Sequence, residues 1–388
     1  MRVLLISHTC ISRTAGQPKA YELSQMPDVE LRVLVPDRWY EYGEWKQAQT
    51  AYSPHLDLRI GKVLWPWAGP GQWYAHWYPR LLPLLRDFRP DIIDLWEEPY
   101  GLVSAHATWL RNTFFPQTRI VAETEQNINK HLPPPFGQFR NYTLRHADFA
   151  IGRNVEALDV LRGNGFRGTA RVVPNAVDAE LFRPLNKTEA RQSILRELSL
   201  KENPLFLIGY VGRLVEEKGL TDLVDALRFL PSNVHVLFVG SGPLDTELQR
   251  LARELKVEAQ VHFLPSRPLE ELPIVMNALD VFVLPSRTTP SWKEQFGRVI
   301  IEAQSCATPV IGTDSGAIPE VVGNGGLVIP ERNSQALAQA ISTLQQNPAQ
   351  RAAMGAAGRR QVEQLYTWKQ VAQRMRDIYR EVLELPPL

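Results

Sequence analysis

The sequence predicts an α/β protein with two doubly wound, parallel sheets, one in each half of the chain. Three observations carry this. Short apolar runs alternate with stretches of helical spacing, as in βαβ units. The runs place Val, Ile and Leu on consecutive positions, the mark of strands buried on both faces. The same grammar occurs twice in 388 residues, a length that suits two or three domains at roughly 150 residues each.

In the first half, Val3–Ser7, Val29–Pro36, Asp91–Glu97, Arg119–Glu125, Phe149–Arg153 and Arg171–Asn175 read as strands, with helices expected over Tyr74–Phe88 and Asn154–Asn164. In the second half the strands are Leu205–Arg213, Val234–Gly240, Val261–Leu264, Val281–Pro285, Pro309–Thr313 and Leu327–Pro330. Helices are expected over Lys218–Leu230, Leu244–Lys256, Gly297–Cys306 and Ser334–Gln346. The intervening PNAVDAELFRPLNKTEARQ is polar and punctuated by Pro174 and Pro184, so the linker is expected near Phe182–Lys187, giving domains at 1–183 and 184–367. Pro348 to Glu384 is helical in pattern, with no strand signal. Two such sheets would face each other across a cleft, with ligands outside the carboxyl ends of the strands.

Composition narrows the function. Apolar residues at 44% and charged residues at 22% are ordinary for a soluble globular protein. With 43 basic against 42 acidic residues the net charge is +1, which argues against nucleic acid as a partner. The two cysteines, Cys10 and Cys306, are too far apart for a disulfide framework or a zinc spacing, and a reducing, cytoplasmic compartment fits. The apolar run in MRVLLISHTC is too short for a signal-peptide core, and no run reaches the roughly 18 residues of a spanning helix. The expectation is a soluble protein, or one resting on the inner face of a membrane.

Chemistry concentrates in the second half. GYVGRLVEEKGLTDLVDAL spans Gly209 to Leu227. A buried strand ends at Gly212-Arg213 and a helix begins near Lys218-Gly219, so Arg213 and Lys218 share one loop at the strand's carboxyl end. Two cations there suit a diphosphate, the guanidinium as a fork and the ammonium as a point charge. The plain alternative is a pair of solvated charges beside Glu216 and Glu217. In PSWKEQFGRVIIEAQSCATPVIGTDSG, Glu294 and Glu302 are eight positions apart, about 80° of helical rotation, so on one continuous helix they would not share a face. Glu294 is expected in the loop, Gly297 near the helix start and Glu302 just over one turn in. Free N–H groups around Phe296, Gly297 and Arg298 then form an anion site. Glu302 follows the apolar run Val299–Ile301, where a carboxylate needs a partner such as a hydroxyl pair of a sugar or ribose. Alternatively it only complements the helix dipole.

Together these segments resemble the retaining glycosyltransferases of family 4, which have the GT-B fold. GYVGRLVEEKGLTDLVDAL, VLFVGSGPL, VFVLPS, EQFGRVIIEAQSCATPVIGTDSGAIPEVV and GGLVIP follow that family's order and spacing. In the first half the likeness is looser: the MRVLLIS opening, RPDIIDLWEEPYG, and PNAVDAELFRP at the linker. The resemblance implies two Rossmann-like domains across a cleft, with the helix 368–388 crossing back to the first. It implies that Arg213 and Lys218 bind the diphosphate of a nucleotide-sugar donor, with help from the amides of Phe296, Gly297 and Arg298. Glu294 would hold donor-sugar hydroxyls and, with Arg213 and Lys218, form the catalytic set. Glu302 would hold the ribose, and the base would rest near Leu264–Arg267. Gly16 matches the family's glycine-rich loop, with Ala15-Gly16 in place of a double glycine. Ala307 stands where the family often has glycine. The implied reaction retains configuration, needs neither metal nor cofactor, and uses a carbohydrate, lipid-linked or small-molecule acceptor.

The family commonly has a histidine where this chain has Glu125, and Glu97 and Glu98 end the preceding strand. Three carboxylates at one edge would orient sugar hydroxyls or raise one another's pKa; otherwise they are solvated loop acids. His131 and His146 read as loop and helix-surface residues. Eight of the ten tryptophans lie between Trp39 and Trp109, and the Trp65–Tyr78 cluster is a candidate acceptor surface. HLPPPFGQFRNYTLRH sets Phe136 and Phe139 beside Arg140 and Arg145, a pattern suited to peripheral membrane contact. The rival functions are a sugar-nucleotide epimerase or phosphorylase of the same architecture, and a non-catalytic sugar-nucleotide-binding protein. A dehydrogenase is disfavoured, since Gly240-Ser241-Gly242 lacks the third glycine of the dinucleotide fingerprint.

Overall fold

The computed structural model describes residues 1–41, 44–64, 71–200 and 205–386. It divides into two compact units, Met1–Pro174 with Trp368–Leu388, and Asn175–Thr367.

The first unit holds β1 (Arg2–Ile6), β2 (Glu30–Pro36), β3 (Arg38–Glu41), β4 (Glu44–Gln47), β5 (Asp57–Gly61), β6 (Ile92–Leu95), β7 (Arg119–Thr124), β8 (Phe149–Gly152) and β9 (Thr169–Val172). Seven of these form one parallel sheet in the order β5-β2-β1-β6-β7-β8-β9. The central strands are apolar at successive positions because helices cover both faces: β6 and β8 are buried at every residue. The sequence pattern misses β5, a half-exposed edge strand with alternating polar residues, and the antiparallel β3–β4 hairpin. It also overruns one helix. Tyr74–Phe88 is two helices, Gly71–Ala75 and Leu81–Phe88, because Pro79 disfavours helical backbone at the residue before it.

The helix Trp368–Glu384 belongs to this unit. It packs on the helix Gln17–Ser24, and its Tyr379 hydroxyl donates to Asp94 Oδ2 at 2.6 Å. Arg376 and Arg380 pair with Asp28.

The second unit contains β10 (Phe206–Val211), β11 (Val234–Val239), β12 (Val261–Leu264), β13 (Val281–Leu284), β14 (Val310–Thr313) and β15 (Gly326–Ile329). They form a parallel sheet in the order β12-β11-β10-β13-β14-β15. The break between the units falls after Pro174, earlier than Phe182–Lys187. Phe182 is buried in the second core, its carbonyl accepts from Ser305 and Arg359, and Asn186 caps the helix Lys187–Glu197. Ala307 adopts a left-handed conformation (φ 57°), which accounts for glycine being the unstrained choice there. Cys10 and Cys306 are buried thiols in separate units.

Candidate active site

In the second unit the strand order reverses between β10 and β13, and a crevice opens at such a point beyond the strands' carboxyl ends. Lys218 follows β10 and Glu294 follows β13. Lys218 Nζ lies 2.6 Å from Glu294 Oε2, and the Ser286 hydroxyl donates to the same oxygen at 3.0 Å. The ammonium also stands 4.8 Å from the Trp292 ring centroid. Two glycines seat this pair. Gly219 is left-handed (φ 65°), and a Cβ there would overlap the Pro285 carbonyl, so the Lys218 turn lies directly against the end of β13. Gly316 (φ 55°) does the same against the Glu294 carbonyl, which accepts from the Ala317 N–H at 3.0 Å.

Around this pair stand the other expected residues. Arg213 is half exposed, with its guanidinium 3.8 Å from Glu217. Its loop is braced by Gly240-Ser241-Gly242: Leu214 N–H donates to the Ser241 carbonyl at 3.0 Å, and a side chain on either glycine would strike the Arg213 loop backbone. Those glycines therefore serve close backbone packing. Gly297 (φ 76°) precedes the helix Arg298–Ser305, while Phe296 is buried with its ring edge-on to Tyr366. Glu302 is only 8% exposed, and among the described residues its carboxylate has no hydrogen-bond partner. Burial raises it to about 7, with Arg298 opposing. Leu264 is buried at the end of β12, but the Arg267 guanidinium is engaged by Glu197 and Glu271.

The first unit repeats the topology, reversing between β1 and β6. Here His8 follows β1 and Glu97 follows β6. Glu97 Oε1 accepts from the His8 backbone N–H at 2.5 Å and Oε2 meets His8 Nδ1 at 2.7 Å. His76 Nε2 approaches Oε1 at 3.8 Å. Burial would raise the Glu97 carboxyl, but His8 and His76 outweigh it and hold it at about 2. Burial works against the imidazolium of His8, yet Glu97 leaves its pKa above the ordinary value. The imidazole stacks on Trp39 at 4.6 Å and meets Trp73 edge-on at 4.7 Å.

Of the three expected carboxylates, Glu98 and Glu125 stand together, the Glu98 carboxyl being raised by burial and by Glu125, while Glu97 stands apart. Glu97 turns to the histidines. Glu98 accepts from the Thr124 hydroxyl at 2.6 Å and the Glu125 N–H at 2.9 Å, and burial still pushes it up to about 7. Glu125 is partly exposed, 3.4 Å from Arg153 Nε. Gly16 caps the helix Gln17–Ser24, and a Cβ there would sit 2.7 Å from the backbone of Thr9 and Cys10. Trp65 and Trp67 lie outside the described residues; Trp73 packs on His8, and Tyr74 on Tyr100 and Phe136. Among the described residues no group of three His, Cys, Asp or Glu side chains is placed to hold a metal ion.

Comparison with solved structures covers almost the whole chain. It is similar to sucrose-phosphate synthase from Thermosynechococcus elongatus (TM-score 0.75, 23% identity, 98% of this chain and 99% of that one). It is also similar to Anabaena HepE in complex with UDP (TM-score 0.74, 20% identity, 98% and 100%). The fold is GT-B. Residues 191–361 of this GT-B chain match the family described as "Glycosyl transferases group 1". Over 220 residues it is 32% identical to the GDP-mannose-dependent monoacylated alpha-(1-6)-phosphatidylinositol monomannoside mannosyltransferase of Corynebacterium glutamicum, covering 55% of this chain and 57% of that protein. Over 253 residues it is 33% identical to the D-inositol 3-phosphate glycosyltransferase of Corynebacterium urealyticum, covering 61% and 57%. The chain thus spans little more than half the length of either curated relative.

Sequence reading missed several residues of this GT-B chain. His8 directly follows the MRVLLIS opening, whose apolar run drew attention away from it. Lys19 is almost wholly buried, 3.0 Å from Glu123 and 3.6 Å from the Trp96 ring centroid. Arg153 bonds the same Glu123. Their signal is position: each lies at or just beyond a strand end or on the first helix, where a charged residue in a buried setting needs a partner.

Proposed function

We propose that this chain is a retaining glycosyltransferase that moves a sugar from a nucleoside-diphosphate donor to a hydroxyl of a glycan, lipid-linked or small-molecule acceptor. The observation that carries this reading is the Lys218–Glu294 pair at the sheet's reversal point, with Glu302 buried one turn into the adjoining helix and no hydrogen bond to its carboxylate among the described residues. The group 1 match over residues 191–361 and the GDP-mannose dependence of the Corynebacterium glutamicum relative support it.

Arg213 and Lys218 would bind the diphosphate, with the amides at Gly297 and Arg298. Arrival of that dianion draws Lys218 away from Glu294 and frees the carboxylate for sugar hydroxyls. Glu302 accepts from the ribose hydroxyls, which supply the donors it lacks at rest, and the base sits by Leu264. The bond from the anomeric carbon to the phosphate oxygen breaks as the acceptor oxygen bonds to that carbon, and the acceptor proton passes to the departing phosphate. The cations and helix start stabilise the charge that develops there, without a metal or cofactor.

A second reading rests on His8. Glu97 holds its Nδ1 at 2.7 Å, and in the neutral ring Nε2 would be the nitrogen that takes the acceptor proton. Displacement assisted by such a base inverts the anomeric centre, so product stereochemistry separates the two. The first test is a thermal-shift series with UDP, GDP, ADP and their sugars; a true donor at 100 times its Kd stabilises by about 2.7 kcal/mol. Absence of any nucleotide effect sinks both readings. Conversion of a nucleotide sugar without acceptor moves the assignment to an epimerase.

A further inference from the structure

Glu97 meets two imidazoles, His8 and a buried second ring, His76. His76 directly follows the helix Gly71–Ala75 and is 1% exposed. Its Nδ1 lies 2.9 Å from the Gln72 carbonyl. A carbonyl can only accept, so the proton of the neutral ring sits on Nδ1. Nε2 faces Glu97 Oε1 at 3.8 Å, and among the described residues it has no hydrogen bond. A bare lone pair buried against a carboxylate is repulsive, whereas a second proton on Nε2 turns the contact into an ion pair. The geometry therefore satisfies His76 as an imidazolium on the Oε1 side of Glu97, with His8 Nδ1 on the Oε2 side at 2.7 Å.

The surrounding residues hold this ring in place. The buried Gln72 side chain bonds the Tyr40 backbone at both its N–H and its carbonyl, which ties the helix Gly71–Ala75 to β3. Trp39, also on β3, meets the His76 ring edge-on at 4.9 Å and stacks on His8 at 4.6 Å. Tyr78 lies beyond, its ring centroid 6.3 Å from that of His76. Burial, with Glu97, Asp37 and Cys10, holds the Tyr78 hydroxyl well above its ordinary pKa, so it adds no charge. Besides Glu97, Glu125 beyond β7 and Glu41 on β3 favour the cation of His8.

We propose that His76 is a positioning residue that acts on His8 through Glu97, one carboxylate serving two imidazoles. The inference deepens the reading in which His8 takes the acceptor proton, and rests on it. In that step the acceptor O–H bond breaks, the proton bonds to His8 Nε2, and Glu97 holds the resulting imidazolium at Nδ1. A carboxylate already balanced by His76 attracts that proton less than an unshared one would. His8 is thereby kept from holding its proton permanently, and its neutral ring stays available.

The test is NMR titration of the full chain carrying nitrogen-labelled histidine. In wild type both ring nitrogens of His76 should carry protons at neutral pH. His76→Asn places an amide where Nδ1 was, keeps a donor for the Gln72 carbonyl and removes the cation. It should raise the titration midpoint of His8 by about one pH unit, the lower end of what a single charge does at close range. His76→Gln, with a neutral donor where Nε2 was, should give a smaller rise. Tyr78→Phe keeps the ring beside His76 and removes no charge, so the His8 midpoint should stay at the wild-type value. Wild-type His76 without a proton on Nε2 at neutral pH would overturn the inference even if no His76 variant folds. A His8 midpoint that ignores both His76 variants, or that moves as far with Tyr78→Phe, would overturn it too. Failure of the His8 reading shows separately: a product of retained configuration discards that reading and leaves the titration unchanged.

Discussion

Glu302→Gln should make the free protein more stable at alkaline pH. Glu302 is buried, and its folded pKa is raised from 4.5 to about 7 because burial disfavours the charged form. The folded chain thus holds this proton more tightly than the unfolded chain. The associated stability is fully present below pH 4.5, declines as pH rises from there to about 7, and is absent above. That gap corresponds to about 3 kcal/mol, or roughly 6–12 °C in a unit of this size. Glutamine fills the same space and carries no charge to desolvate. Calorimetry on the full chain from pH 5 to 8.5 should therefore show wild type and variant close together at the acid end and the variant higher at pH 8. Glu98, also raised to about 7, contributes a slope in the same direction from the first unit, and it cancels in the wild-type-minus-variant difference. The variant should in return bind nucleoside diphosphates about tenfold or more weakly, because a charge-assisted bond to the ribose becomes a neutral one. A variant no more stable than wild type at pH 8 would refute the reasoning.

Lys218→Met removes one partner of a 2.6 Å pair that is mostly buried on both sides, and should cost about 3–5 kcal/mol. Adding Glu294→Gln should recover part of that loss in chemical denaturation, whereas full additivity of the two would contradict the pairing. Glu97→Gln should flatten acid unfolding of the first unit. Glu97 is held at about 2, so its share of stability exists above pH 4.5 and is lost as pH falls towards 2; an unchanged difference between pH 5 and 3 would exclude that role.

The legible parts of this molecule are those that local pattern determines. Strands buried on both faces announce themselves as consecutive Val, Ile and Leu, so the core strands of both sheets could be located, and with them the strand ends where Arg213, Lys218 and Glu294 stand. The separate settings of Glu294 in a loop and Glu302 inside a helix also follow from spacing. What escaped depends on distance in sequence or on the covering of a surface. β5 is an edge strand with polar residues on its open side, indistinguishable from a loop by periodicity. His8 and Glu97 are 89 positions apart, and nothing local says that their strands are neighbours. Glu97 and Glu98 are adjacent in the loop after β6, yet one turns to the histidines and the other to Thr124. Arg267 offers a cation in sequence but not in the folded unit, where Glu197 already holds it.

The two units apply one topological device to different chemistry. In each, the first strand lies next to the fourth of its sheet's parallel strands, and the residues just beyond them form an ion pair: His8 with Glu97 at 2.7 Å, Lys218 with Glu294 at 2.6 Å. The pairs differ in what the cation can do. An ammonium is a compact point charge and suits an anionic group such as a diphosphate. An imidazole held by a carboxylate and packed among indole rings suits a hydroxyl whose proton must move. Glu294 keeps a buried ammonium satisfied, whereas Glu97 orients a ring whose neutral form is the one that can take a proton. Disrupting either pair should lower stability first, and ligand affinity only at the site to which the pair belongs.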